Sequence, residues 1–249
     1  MSSSPADRLD PIGLEELVAT GAALQDRDER KYLVPLDRLD ALAAALAPTH
    51  RALEIGGGRA FRYATTYFDT PGLTLLREHV QGRRRRFKVR RRTYLDSGQS
   101  QLEVKLKGRR GRTVKHALPG GAGWSLGATE RGFVREVVAD GYGRPFPVQD
   151  LEAVLTTTCT RLTFAAPSLG ERVTIDLDLV LGDVRCCERF AIVESKSDGP
   201  RATADRALVR LGVRPVESCS KVCVGLLAAG APLAGSGFAP VLRRLADAA

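Results

Sequence analysis

Residues 101–107 read QLEVKLK, and residues 172–179 read RVTIDLDL. Side chains alternate across a β-strand, so positions two apart share a face. In the first stretch Glu103, Lys105 and Lys107 share one face, and Leu102, Val104 and Leu106 share the other. In the second, Arg172, Thr174, Asp176 and Asp178 oppose Val173, Ile175, Leu177 and Leu179. Each stretch therefore predicts a strand with one apolar face and one face that is nearly all ionisable. A solvated strand face mixes Ser, Thr, Gln and isolated charges, so this density of charge is unusual.

The same alternation recurs outward along the chain. Lys88, Arg90 and Arg92 align against Phe87 and Val89, with Arg91 as the exception on the apolar side. Arg27, Glu29 and Lys31 align, as do Glu194 with Lys196 and Arg161 with Thr163. With Lys115 and Lys221, these faces carry twelve cations against five anions: Glu29, Glu103, Asp176, Asp178 and Glu194. If the faces converge, so many like charges repel one another unless a polyanion sits among them. A barrel with a polar inside and helices over its apolar outside satisfies both faces of every strand. A polyphosphate supplies the missing negative charge, and the carboxylates suit Mg2+ or Mn2+ bridging phosphate oxygens.

The remaining sequence fits this plan. Strands are predicted over 26–34, 61–69, 86–94, 101–107, 112–118, 157–165, 172–180 and 190–196, with a short one near 216–224. Helical spacing marks 12–24, 36–46, 129–140, 203–211 and 239–248, and residues 1–11 read as a flexible tail. Thr203 is a candidate N-cap and Gly212 a stop for the helix over 203–211. The turn Asp96-Ser97-Gly98 joins two strands as a hairpin. Hairpin links without regular crossover helices give an antiparallel α+β fold.

The chain has 249 residues, 43 % of them apolar, a net charge of +9 and a pI near 9.7. That basic balance calls for an anionic partner. Of 38 basic residues seven are lysines, leaving 31 arginines, and all seven lysines fall in or beside the strand-like motifs. The five cysteines form no CxxC pair, and the three histidines are scattered, which argues against a disulfide framework or a zinc site. No apolar run has the length of a membrane span, and the first ten residues lack an apolar signal core, so a soluble cytoplasmic protein is expected. The turn at Gly56–Gly58 has no GK[ST] at P-loop spacing. The run Arg83–Arg86 is the best feature for nucleic acid, but few aromatics interleave with it; a tunnel mouth or a solvated turn explains it equally.

The ordered motifs resemble the VTC domain family within the CYTH-like triphosphate tunnel metalloenzymes. They are ERKYLV (29–34), TTYFDT (65–70), RRFKVRRRTY (85–94) and LEVKLKGRRGRTVK (102–115), followed by LTTTCTRLTF (155–164), RVTIDLDL (172–179), IVESKSDGP (192–200) and SCSKVCVG (218–225). The resemblance implies an eight-stranded antiparallel tunnel over 26–227, flanked by a tail and short helix (1–25) and by a linker and helix (228–249). It implies metal-dependent chemistry on a triphosphate: polyphosphate polymerisation from ATP in VTC domains, hydrolysis of triphosphates or cyclisation of ATP in wider relatives. A non-catalytic polyphosphate-binding module is a further alternative.

Matched motif by motif, the resemblance gives Lys31, Arg90, Arg92, Lys105, Lys115, Arg161 and Lys221 as phosphate-clamping residues. Ser220 forms an S-K pair with Lys221, and Glu194 is the metal-binding glutamate. Lys88, Lys107, Arg172 and Lys196 join the substrate-binding set, and Glu29, Glu103, Asp176 and Asp178 the acidic one, through their places on the charged faces. Two positions depart from the family pattern, Val222 where an aromatic is common and Ser195 where an apolar residue is usual. ATP and inorganic polyphosphate are the expected partners, nucleic acid is not, and coupled translocation calls for a separate membrane partner.

Overall fold

A computed structural model describes residues 4–21, 28–108, 113–186, 189–199, 202–232 and 237–246. Arg27, Arg112 and Cys187 lie outside the described residues. In the first half β1 (Pro11–Ile12), α1 (Leu14–Gly21), β2 (Asp28–Pro35), α2 (Leu39–Leu46), β3 (Arg51–Leu53), β4 (Phe61–Asp69) and α3 (Thr74–Val80) follow in order. Then come β5 (Phe87–Tyr94), β6 (Ser100–Lys107), β7 (Thr113–Pro119), α4 (Ala128–Tyr142), β8 (Glu152–Ala166), β9 (Glu171–Leu181), β10 (Val184–Arg185) and β11 (Phe190–Ser197). Three helices close the chain: α5 (Thr203–Arg210), α6 (Lys221–Ala228) and α7 (Ala239–Ala246).

Eight strands form one antiparallel path, β2-β11-β9-β8-β4-β5-β6-β7, as the expected α+β tunnel requires. The hairpins β5–β6, β6–β7 and β8–β9 are local, whereas β4–β8 and β2–β11 join distant parts of the chain. The ladder is open rather than closed, since β2 and β7 are its ends. Side chains span the gap: Glu29 on β2 reaches Lys105 on β6, Oε2 to Nζ 3.5 Å. The sheet therefore curls into a tunnel whose seam is ionic.

The outer faces are apolar and covered by helices. Tyr32, Val34, Phe164, Val173 and Val193 pack under α2 and α5, and Phe87, Val89, Leu102 and Val104 pack under α4. Arg91 is on this outer face and explains itself there. Its guanidinium, 2 % exposed, pairs with Glu130 of α4 at 2.5 Å and donates to the carbonyls of Gly123 and Ser125, which pins the helix to the sheet.

Four expectations need correction. Residues 4–12 are no loose tail, because Ala6 and Leu9 enter the core and β1 pairs with β3. The segment near 216–224 is not a strand: α6 begins at Lys221, and Cys219, Val222, Cys223 and Leu226 share a buried face at helical spacing. Thr203 is the first helical residue rather than the cap; the Glu171 carboxylate on β9 accepts from its backbone N–H at 2.8 and 2.9 Å, satisfying an orphan donor from the sheet side. In β9 the period-two reading fails at a bulge, where Thr158 pairs with Val180 but Thr160 with Leu177. The extra residue flips the faces beyond it. Asp178, at φ 50°, is exposed, and Leu179 and Leu181 turn inward instead.

That inward turn matters because the tunnel interior is not polar throughout. Leu33, Tyr67, Leu155, Leu179 and Ile192 lie on the same inward faces as the charged residues, and α6 and α7 pack onto them as a plug. Gly225 permits this close approach: a Cβ there meets Leu155 Cδ2 at 2.6 Å and Leu181 Cβ at 3.2 Å. Gly225→Val is expected to destabilise the fold by about 1–3 kcal/mol through overpacking. Thermal unfolding measures this, and an unchanged midpoint would show that α6 does not bear on β8 and β9.

Candidate active site

Strand register brings the charged faces together beside the apolar region that α6 covers. Glu194 sits opposite Lys31, and Lys196 opposite both Glu29 and Arg172. Arg161 faces Asp176, Arg90 faces Glu103, and Lys88, Lys105 and Lys115 form a row across β5, β6 and β7.

The carboxylates divide into three clusters. In the first, the Lys31 ammonium lies between Glu194, at 3.0 Å, and Glu29; Lys196 holds Glu194 at 2.6 Å and Lys105 holds Glu29. Burial works against the charge on Glu194, but Lys196, Lys31 and Lys105 outweigh it and hold the carboxyl well below its ordinary range. Burial and neighbouring Glu194 both oppose ionisation of Glu29, yet Lys31, Lys105 and Lys196 still lower it. In the second cluster, Glu103 is 1 % exposed and accepts from Arg90 Nε at 2.6 Å, Gln101 Nε2 at 2.8 Å and Lys115 Nζ at 3.4 Å. Burial opposes its charge too, and Arg90, Arg92 and Lys115 override that cost. In the third, Arg161 grips Asp176 through two hydrogen bonds of 2.6 and 2.8 Å, and Lys221 at the start of α6 pairs with the same carboxylate.

Other cations on the inward faces have no carboxylate partner among the described residues. Lys88 donates to Ser220 Oγ at 3.0 Å, where the loop enters α6. Burial drives its pKa down, Cys223 offsets a part, and Lys105, Lys31 and Arg90 push it further, to about 7. Arg92 has a buried Nε with no hydrogen-bond partner. Lys107 has Thr113 Oγ1 at 3.5 Å, and Arg172 gives one nitrogen to the Leu17 carbonyl at 3.2 Å while its Nε is unpaired. Burial lowers the pKa of both.

Sixteen of the seventeen candidate residues thus line or border the tunnel, and Asp178 does not. Sequence reasoning missed Tyr63, whose ring lies under both Arg92 (5.7 Å) and Arg161 (5.2 Å). The signal was available, since Tyr63, Thr65 and Tyr67 alternate on one face of β4 just as the charged residues do.

A divalent ion that completes its shell with phosphate oxygens and water needs only one or two carboxylates. Glu29 and Glu194, both on the Lys31 ammonium, fit that requirement. Among the described residues no three His, Cys, Asp or Glu side chains come together as a protein cage. Glu103 and Asp176, each among its own cations, lie in separate clusters from that pair.

The VTC domain family matches residues 26–229. The chain belongs to this family. No curated protein matches it. Among solved structures, this VTC domain is similar to the PH1819 protein from Pyrococcus horikoshii OT3, with a TM-score of 0.47 and 12 % identity over 82 % of this chain and 99 % of that one. It is also similar to HpAC1 from Hippeastrum, for which a dominant triphosphatase activity is described, with a TM-score of 0.45 and 14 % identity over 84 % of this chain and 99 % of that one.

Lys88 carries a pH prediction. Its folded pKa, about 7, lies below that of a free lysine, so the unfolded chain binds more protons between about 7 and 10. Lys88 therefore makes the unliganded domain more stable as pH rises through that window. A bound triphosphate favours the charged ammonium, so binding above pH 7 takes up a proton. Titration calorimetry of tripolyphosphate in buffers of different ionisation enthalpy measures this uptake at pH 8, and Lys88→Met is expected to reduce it; unchanged uptake would remove Lys88 from the binding site.

Proposed function

We propose that this VTC domain is a divalent-metal-dependent polyphosphate polymerase that transfers the terminal phosphoryl group of ATP to a growing polyphosphate chain. The observation that carries the reading is the row Lys88, Lys105 and Lys115 on adjacent strands, continued by Arg92 and Lys107, with fewer carboxylates than cations around it. Like charges directly across a ladder destabilise a sheet. A chain of phosphates along the row removes that cost.

Phosphoryl transfer depends mainly on positioning and on neutralising charge. Lys31, Lys88, Arg90, Arg92, Lys105 and Lys115 clamp non-bridging oxygens, while Arg161 and Lys221, fixed by Asp176, position the adjoining phosphates. Ser220 donates its hydroxyl to a phosphate oxygen. Glu29 and Glu194 would hold the metal, which when bound would neutralise charge on the transferred phosphoryl group. A terminal oxygen of the chain forms the new bond to the γ-phosphorus; the bond from that phosphorus to the bridging oxygen breaks, and ADP leaves with the electron pair.

The ion-paired state of the inward carboxylates supports our reading of polymerisation over hydrolysis. Water as nucleophile needs a general base. Glu29, Glu103, Asp176 and Glu194 are all ion-paired and held below the ordinary carboxylate range against the cost of burial, which makes them poor bases. A phosphate oxygen is already anionic and needs none.

Incubation with ATP and Mn2+, followed by gel analysis and assay of free phosphate, tests the reading. Long chains with ADP are expected. Free phosphate without chains indicates a triphosphatase, and neither product with binding retained indicates a binding module. Glu194→Gln is expected to lower turnover by roughly 10–100-fold at unchanged circular dichroism, and full activity in that variant would refute the metal assignment.

A further inference from the structure

A second basic site lies outside the tunnel. Arg77, Arg83, Arg84, Arg85 and Arg144 line an open cleft of about 630 Å³ between α3 and the start of β5, and Glu78 is the one acidic residue lining it among the described residues. Five guanidinium groups around one concavity, with one carboxylate among them, form a strongly positive surface. Several of them are held in place. Arg83 Nε donates to Gln81 Oε1 at 3.0 Å, Arg85 to the Tyr142 carbonyl at 3.2 Å, and Arg144 to Glu78 Oε1 at 3.2 Å. Each still has N–H groups to offer, and the guanidinium fork matches phosphate oxygens.

The cleft adjoins the lysine row. Lys107, the last inward residue of β6, donates its backbone N–H to the Arg86 carbonyl at 2.9 Å. Arg86 in turn donates to the Arg83 carbonyl at 2.7 Å. A chain passing over Lys105 and Lys107 thus meets the arginines within a few residues of the rim.

We propose that this arginine cleft binds the outer segment of a long polyphosphate chain whose inner end occupies the tunnel. The inference rests on the polyphosphate reading above. Inorganic polyphosphate fits better than nucleic acid, because among the described residues no aromatic side chain lines the cleft for a base to stack on. The site makes the domain discriminate by chain length: short phosphates see the tunnel alone, and long ones see both.

Binding of end-labelled long-chain polyphosphate and of tripolyphosphate is compared at about 0.15 M salt, where fields are screened within about 8 Å. Arg83→Glu/Arg84→Glu is expected to weaken the long chain by roughly tenfold and to reduce the salt dependence by about two charges. Tripolyphosphate affinity stays unchanged. The control Arg38→Glu/Arg210→Glu makes the same change of charge on exposed residues elsewhere and leaves both ligands unaffected. An unaltered long-chain affinity, or an equal loss in the control, overturns the cleft. So does an oligonucleotide that binds as tightly with the same dependence on Arg83 and Arg84. If the unmodified domain fails to bind tripolyphosphate, the polyphosphate reading itself falls; if it binds while the double variant matches it on long chains, only the cleft does.

Discussion

The constraint on which the structure depends is uncompensated positive charge held in a confined space. Each inward carboxylate is shared between two or more cations: Glu194 between Lys31 and Lys196, Glu103 between Arg90 and Lys115, Asp176 between Arg161 and Lys221. Sharing keeps the unliganded tunnel folded but leaves Lys88, Arg92 and Lys107 without an anion among the described residues. Burying an unpaired charge is costly, and the protein meets that cost partly by loosening the proton on Lys88. A polyanion seated among these groups would relieve that cost.

The rest of the fold holds this arrangement in place. The outer apolar faces are covered by α2, α5 and α4, and the Arg91–Glu130 pair fixes α4 where a purely apolar contact would slide. No ladder joins the end strands β2 and β7; across that seam Glu29 on β2 reaches Lys105 on β6, the strand next to the β7 edge.

Much of this was legible in the sequence, for a physical reason. Strand periodicity is rigid, so Glu103-Lys105-Lys107 and Lys88-Arg90-Arg92 point together wherever the strand is regular, and the observed register confirms both sets. The misreadings fall where regularity breaks. Asp178 follows a bulge created by the pairing of β9 with β8, which no local pattern announces. The SCSKVCVG segment has β-branched valines at 222 and 224 that suit a strand, and its helical form is decided by packing against Leu155 and Leu181. Thr203 has the chemistry of a cap, but Glu171, distant in sequence, reaches its N–H first. The division of the carboxylates into separate clusters depends on which strands become neighbours, and the pairing of β4 with β8 and β2 with β11 is set by tertiary structure alone.

The bulge in β9 has a further consequence. Before it, Arg172, Thr174 and Asp176 face the tunnel; beyond it Leu179 and Leu181 do, beneath the plug. A single inserted residue thus marks the boundary between the wet and dry compartments. The depth of the charged compartment is set by the position of that residue and not by the length of the strand. Sliding the bulge along β9 would deepen or shorten the charged compartment in steps of two residues while the sheet around it stayed the same, with no strand added or lost.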